Sequence, residues 1–307
     1  MPLAVLALVV SPAANSRPNG GTIVAFVAHP PSLLLAASGN ALVGTVSVAP
    51  GPTAVAATVD GRIVLVVSPT ARAVTVVDGR RRAVLAVING FSRPVDVAIA
   101  DDARYAFVAD AGASRIAVVD VRRSRVVARV STPGVPHRVA VHGLELWVTF
   151  GRGERAPEVL DVSRPVRPRA LGRVHLGGAV GEIAFAADGL HAYATFRGPR
   201  LTRLWALSFR RSPTTLRRLD AAVDAIAVDV LGKVWTAHGP QLEIRSPRTL
   251  RVERTLRLQS GVRGLAVAGG FVVALTAQGV TTIDIVRARR FAATAIPGGT
   301  ALAVATL

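Results

Sequence analysis

The chain has 307 residues, half of them hydrophobic, with no cysteine and a formal net charge of +18. The absence of thiols excludes disulfides, thiolate metal sites and a cysteine nucleophile, and it leaves the compartment open. The charge comes almost wholly from arginine, Lys233 being the only lysine, and it bears on solubility and association rather than on fold.

At the N-terminus, an apolar run from Pro2 to Val10 is followed by Ser11-Pro12-Ala13-Ala14, which resembles the h-region and small-residue cleavage zone of a secretory signal, although no basic residues precede the run. Residues 1–19 are therefore expected to be a signal peptide or a flexible N-terminus, and residues 20–307 a single domain. No apolar stretch reaches the ~20 residues needed to span a membrane as a helix.

From Pro52 onward one element recurs. Pro52-Thr-Ala-Val-Ala, Pro94-Val-Asp-Val-Ala, Pro136-His-Arg-Val-Ala, Val180-Gly-Glu-Ile-Ala, Val223-Asp-Ala-Ile-Ala, Val262-Arg-Gly-Leu-Ala and Gly299-Thr-Ala-Leu-Ala align on the anchors Val55, Val97, Val139, Ile183, Ile226, Leu265 and Leu302. Successive anchors are 42, 42, 44, 43, 39 and 37 residues apart by subtraction. Between anchors the chain reads as four short strands. In the second unit these are Val97 to Ile99, Tyr105 to Ala109, Arg115 to Val119 and Val126 to Val130, with turn residues between them.

A period of about 40 with four strands per unit predicts an all-β, seven-bladed β-propeller. Six complete units begin at Pro52, Pro94, Pro136, Val180, Val223 and Val262, and Gly299 to Leu307 supplies only one more strand. Thr22 to Ala28, Ser32 to Ala37 and Ala41 to Val48 can complete that seventh blade. One C-terminal strand plus three N-terminal strands then closes the ring and removes exposed sheet edges.

The unit from Pro94 to Asp120, with Tyr105-Ala-Phe-Val-Ala-Asp110 and Ile116-Ala-Val-Val-Asp120, resembles the YVTN-type β-propeller repeat. Val74-Thr-Val-Val-Asp78 repeats its third-strand pattern, and Val159-Leu-Asp-Val-Ser-Arg-Pro165 resembles the related LVIVD segment. Asp110 stands where the YVTN motif has Asn, and the signature fades from Ala184 onward while the period persists. The resemblance implies surface or periplasmic binding proteins and, more distantly, lactone hydrolases; a fold of this kind does not fix function.

In such a ring the first strand of each blade borders the central channel. Residues just before each anchor should gather at one mouth: Thr53, Asp96, His137, Arg138, Glu182, Asp224, Arg263 and Thr300 are the expected ligand-binding set. Adjacent strand positions point to opposite faces, so all eight can share the channel only if the strand starts are irregular. Converging carboxylates, guanidinium groups and an imidazole can bind a polar ligand and perturb one another's pKa values, or can simply solvate a water-filled channel.

Arginines also recur between the third and fourth strands, as Arg80 to Arg82, Arg122-Arg123, Arg210-Arg211, Arg248 with Arg251, and Arg289-Arg290. They form either a basic docking rim or solvated turns. Of the six histidines only His137 and His142 approach a metal-ligand spacing, without a third ligand near. Trp147, Trp205 and Trp235 lie in or beside apolar strands and are expected to pack between blades.

No nucleotide, serine-hydrolase or EF-hand motif is present. A non-enzymatic binding module for a protein or small polar ligand is therefore the first expectation. It should be monomeric and extracytoplasmic, without cofactor or metal. Two alternatives stay open: a lactonase-like hydrolase using Asp96, His137, Arg138, Glu182 and Asp224, and a docking surface for anionic polymers through the arginine-rich turns.

Overall fold

The structure, a computed structural model, describes residues 6–7, 22–31, 33–151, 156–174, 179–197, 202–208, 214–220 and 222–307. Short runs rich in Val, Ala and Leu, broken by Gly, Asp and Pro turns, form seven sheets of four antiparallel strands each, in simple up-and-down order. Blades 1 to 6 have first strands Ala54–Ala57, Pro94–Ile99, Pro136–His142, Ala179–Phe185, Ala225–Val228 and Val262–Ala268. Each first strand neighbours the first strand of the next blade, all the way round.

Blade 7 is built from both ends of the chain. Ala301–Thr306 pairs antiparallel with Ile23–His29, which continues into Leu33–Ser38 and Ala41–Ser47. Further bonds fasten the junction. Thr22 and Leu307 exchange backbone hydrogen bonds of 3.0 and 2.9 Å, and Thr306 N–H donates to Val59 O at 2.8 Å in blade 1. The Thr300 hydroxyl lies within bonding reach of both Ala28 O (3.0 Å) and Pro52 O (3.1 Å). Leu307 packs over Gly61, whose φ of +64° and whose missing Cβ both suit glycine there.

Side chains of the first strands point into the interfaces on either side rather than straight at the axis. Ala98 packs with Val139 and Val141 of blade 3, whereas Val97 belongs to the cluster shared with blade 1. Ala140 then meets Ile183 and Phe185, and Ala184 meets Ile226. The residue after every anchor is alanine (Ala56, Ala98, Ala140, Ala184, Ala227, Ala266 and Ala303), and all seven are buried. These alanines let neighbouring blades approach closely at that position, while the largest buried side chains Trp147 and Trp235 sit one strand further out.

The outer edges are managed by bulges. In every blade the fourth strand carries one extra residue against the third: Val43, Leu85, Val127, Leu171, Leu216, Glu253 and Phe291. A bulge twists and interrupts the free edge, which protects it even where the bulged side chain is apolar and exposed, as for Leu85, Leu171 and Phe291.

Apart from the backbone of Leu6–Ala7, which pairs parallel with Ala301-Leu302 on the inner edge of blade 7, the expected signal or flexible segment of residues 1–19 lies outside the described residues. No helix among the described residues is long and apolar enough to cross a membrane.

Closure predicts that Leu302→Ala, which empties a buried position in the C-terminal strand, lowers unfolding free energy by about 2–5 kcal/mol. Deleting Gly299 to Leu307 should do more, because it also uncovers the edge of Ile23–His29. Thermal melts report both, and a truncated chain that melts like the full one would contradict closure by this strand.

Candidate functional site

The first strands run in the same sense in every blade, and a shared mouth for the eight aligned residues requires irregular strand starts. The irregularity that this required is present. The first strand is bulged near its start in blades 2, 3, 4 and 6, where the register skips between Asp96 and Pro94, Arg138 and Pro136, Ile183 and Val180, and Gly264 and Val262. His137 and Arg263 are the extra residues in their blades. Bulging lets consecutive residues leave the strict alternation of a strand.

The eight are not equivalent. Asp96, Arg138 and Glu182 are buried, whereas Thr53, His137, Arg263 and Thr300 are half-buried and Asp224 is exposed. Thr300 serves closure, as described above. Asp224 Oδ2 accepts the Gly239 N–H at 2.8 Å and lies 3.2 Å from His238 Nδ1 at the rim of blade 5.

Asp96 is the most perturbed member of the set. Its side chain faces blade 3, where Oδ2 accepts the Val139 N–H at 2.9 Å. Burial raises its pKa to about 6, against the downward pull of the Arg138 guanidinium and of the Val139 and Val97 N–H groups. The Glu182 N–H donates to Thr195 Oγ1 at 2.9 Å, fixing the bulged start of blade 4.

A further carboxylate was not visible from the repeat. Glu158 begins the third strand of blade 3 and shares a sheet face with Leu160, which packs against blade 2. It is buried, and burial pushes its carboxyl up against the pull of Arg173. Its Oε2 meets no hydrogen-bond partner among the described residues, and neither does the buried Thr149 Oγ1 on the adjoining second strand. First-strand alignment misses both, because they stand on the second and third strands. The sequence carries no distinguishing signal for Glu158, since third strands of other blades also begin with polar or charged residues such as Arg115 and Gln241.

Asp110 explains the departure from Asn at the motif position. Fully buried, its Oδ1 accepts Ser92 N–H (2.9 Å) and Arg93 N–H (2.8 Å), and its Oδ2 meets Arg115 Nη2 at 2.8 Å. An amide oxygen could serve the two backbone donors, but only a carboxylate also pairs with Arg115.

The turn arginines divide. Arg81, Arg123 and Arg287 pair with Asp78, Asp120 and Asp284 at the ends of third strands, whose Oδ1 atoms also accept backbone N–H groups of the turn. In these three blades part of the arginine signal is turn construction. Arg210 and Arg211 lie outside the described residues. His142 stacks on Phe185 with ring centroids 4.5 Å apart, at the opposite end of its strand from His137. Among the described residues no three metal-ligating side chains come together. Trp147 and Trp235 pack between blades and donate to Glu145 and Asp229; the Trp205 side chain lies outside the described residues.

No protein-family profile and no curated protein matches this chain. Solved structures do. A functionally unknown protein from Desulfotomaculum acetoxidans superposes with a TM-score of 0.78 at 14% identity, covering 92% of this chain and 99% of that one. Hydrazine synthase of Kuenenia stuttgartiensis gives 0.75 at 18% identity, with 92% and 96% covered. A candidate 6-phosphogluconolactonase from Bacteroides fragilis gives 0.73 at 12% identity, with 94% and 99% covered. At these identities the likeness is one of fold: a seven-bladed β-propeller.

Asp96 generates a pH prediction. Its folded pKa of about 6 lies above the value of about 3.9 in an unfolded chain. The stability it contributes is therefore fully present below about pH 4 and lost as pH rises through about 6, on the order of 3 kcal/mol. Asp96→Asn keeps an oxygen for the Val139 N–H but does not titrate. Relative to the native chain, the variant should gain about that much stability between pH 4 and pH 7 in denaturant titrations; parallel profiles for the two proteins would refute the assignment.

Proposed function

We propose that this propeller is a binding module that takes a small polar ligand at the channel mouth over blades 2 to 4, with Asp96, His137, Arg138 and Glu182 as its principal contacts. The observation that carries this reading is the burial of an acid, Asp96, with its pKa raised to about 6 beside Arg138 near the starts of the first strands. The buried, raised carboxyl of Glu158 on blade 3, the blade of Arg138, supports it. The resemblance of blades 1 and 2 to YVTN-type repeats, and of the N-terminal run to a secretory h-region, supports placement outside the cytoplasm.

A thermal-shift screen of the full chain against sugars, lactones and organic acids tests the reading, run in parallel on Arg138→Gln and Glu182→Gln. A ligand of the native state raises the melting temperature by mass action, and the shift should vanish in both variants. Equal shifts in all three proteins, or none with any compound, overturn it.

A hydrolytic reading is favoured by one specific feature, since a carboxyl titrating near 6 is suited to proton transfer at neutral pH. Lactone turnover that disappears in Asp96→Asn would establish it. Turnover that persists in the variant, or that is absent from the native chain, removes it.

A further inference from the structure

Between the outer strands of blades 5 and 6 a cleft of about 400 Å³ opens beside the connection Leu258 to Gly261. It is a consequence of local strand geometry. In blade 6 the third strand Gly279–Asp284 and the fourth strand Arg289–Ala295 pair Ile283 with Arg290 and Thr281 with Ala293, so Thr281, Ile283 and Arg290 share the face turned towards blade 5. The Phe291 bulge follows directly on Arg290. Across the cleft stand Leu256 and Arg257, at the end of the fourth strand of blade 5, and then Ser260.

Three features point to a ligand. Arg257 and Arg290 line the cleft and make no ion pair among the described residues, and no carboxylate lines it. The Ser260 hydroxyl oxygen is buried and has no hydrogen-bond partner among the described residues. Thr281 and Gln278 add polar groups over an apolar floor of Leu256 and Ile283. Two unneutralised guanidinium groups and an unanswered buried hydroxyl in one concavity are a recognition set for an oxyanion that also bears hydroxyl groups. The volume is at the small end of ligand sites.

We infer that this inter-blade cleft is a second binding site, separate from the channel mouth, for an oxyanion-bearing monosaccharide: a sugar phosphate or a sugar acid. The anionic group sits between Arg257 and Arg290, and Ser260 and Thr281 bond its oxygens or the ring hydroxyls.

Isothermal titration calorimetry of the full chain at physiological ionic strength tests this with glucose 1-phosphate, glucuronate and uncharged glucose. Saturable binding of one or both anions is expected, and their relative affinity distinguishes phosphate from carboxylate. Glucose should bind neither site measurably more tightly than background. Arg257→Gln and Arg290→Gln should each weaken binding about tenfold or more, with unchanged melting temperatures, because neither residue anchors the fold through an ion pair. Ser260→Ala should weaken it less. As controls, Arg122→Gln and Arg125→Gln, each made singly at an exposed position on blade 2, lower the net charge by the same single unit and should bind as the native chain does. The inference is overturned if neither anion binds, if glucose binds as well as the anions, or if either control weakens binding as much as the cleft variants. Because Arg138→Gln leaves this cleft intact, loss of the channel-mouth reading and loss of this one are separable.

Discussion

Seven twisted sheets packed face to face around one axis must each be a wedge. That constraint decides where every strand can put its bulk. At the position after each anchor the blades approach closely, and alanine stands there in all seven. One strand further out the gap admits Phe107, Trp147 and Trp235. The same geometry turns first-strand side chains sideways into the interfaces, so the channel is bordered mainly by backbone and by residues at the strand starts. It also makes the structure hostage to its last wedge: a ring with one blade missing leaves two apolar faces uncovered, and that blade here is assembled from both ends of the chain.

Polar chemistry appears where the wedge pattern is interrupted. Near the first-strand starts, bulges in blades 2, 3, 4 and 6 release residues from strict alternation, and Asp96, Arg138 and Glu182 are buried there. At the outer rim, bulges in all seven fourth strands break the free edges. Several charged groups elsewhere are occupied with construction. Asp110 organises the lead-in to blade 2, and Asp78, Asp120 and Asp284 each tie an arginine and the backbone of the following turn. Two features stand apart from that construction: the raised carboxyls of Asp96 and Glu158, and the cleft lined by Arg257 and Arg290.

Legibility in the sequence followed periodicity. Anchors recurring every 37 to 44 residues revealed the ring, the number of blades and the closure, because the repeated wedge demands the same small apolar residues at the same place each time. The mouth residues on first strands could be aligned by the same ruler. Glu158 could not, since it stands on a third strand, outside the first-strand alignment. Nor could the roles of the eight be separated: Thr300 and Asp224 stand at the same position, two residues before their anchors, yet one fastens the closing strand and the other bonds its own blade at the rim. The arginine-rich turns looked alike in one dimension, although Arg123 is bound to Asp120 while Arg290 faces a cleft.

The sequence by itself determined the all-β repeat, the seven blades and the sharing of the last one between the two termini, because hydrophobic periodicity and turn residues are local and recur. Only the tertiary structure decided which polar residues are structural and which remain available. Burial, the partner across an interface and the register of a bulge arise between blades, and none of them is encoded within a single repeat.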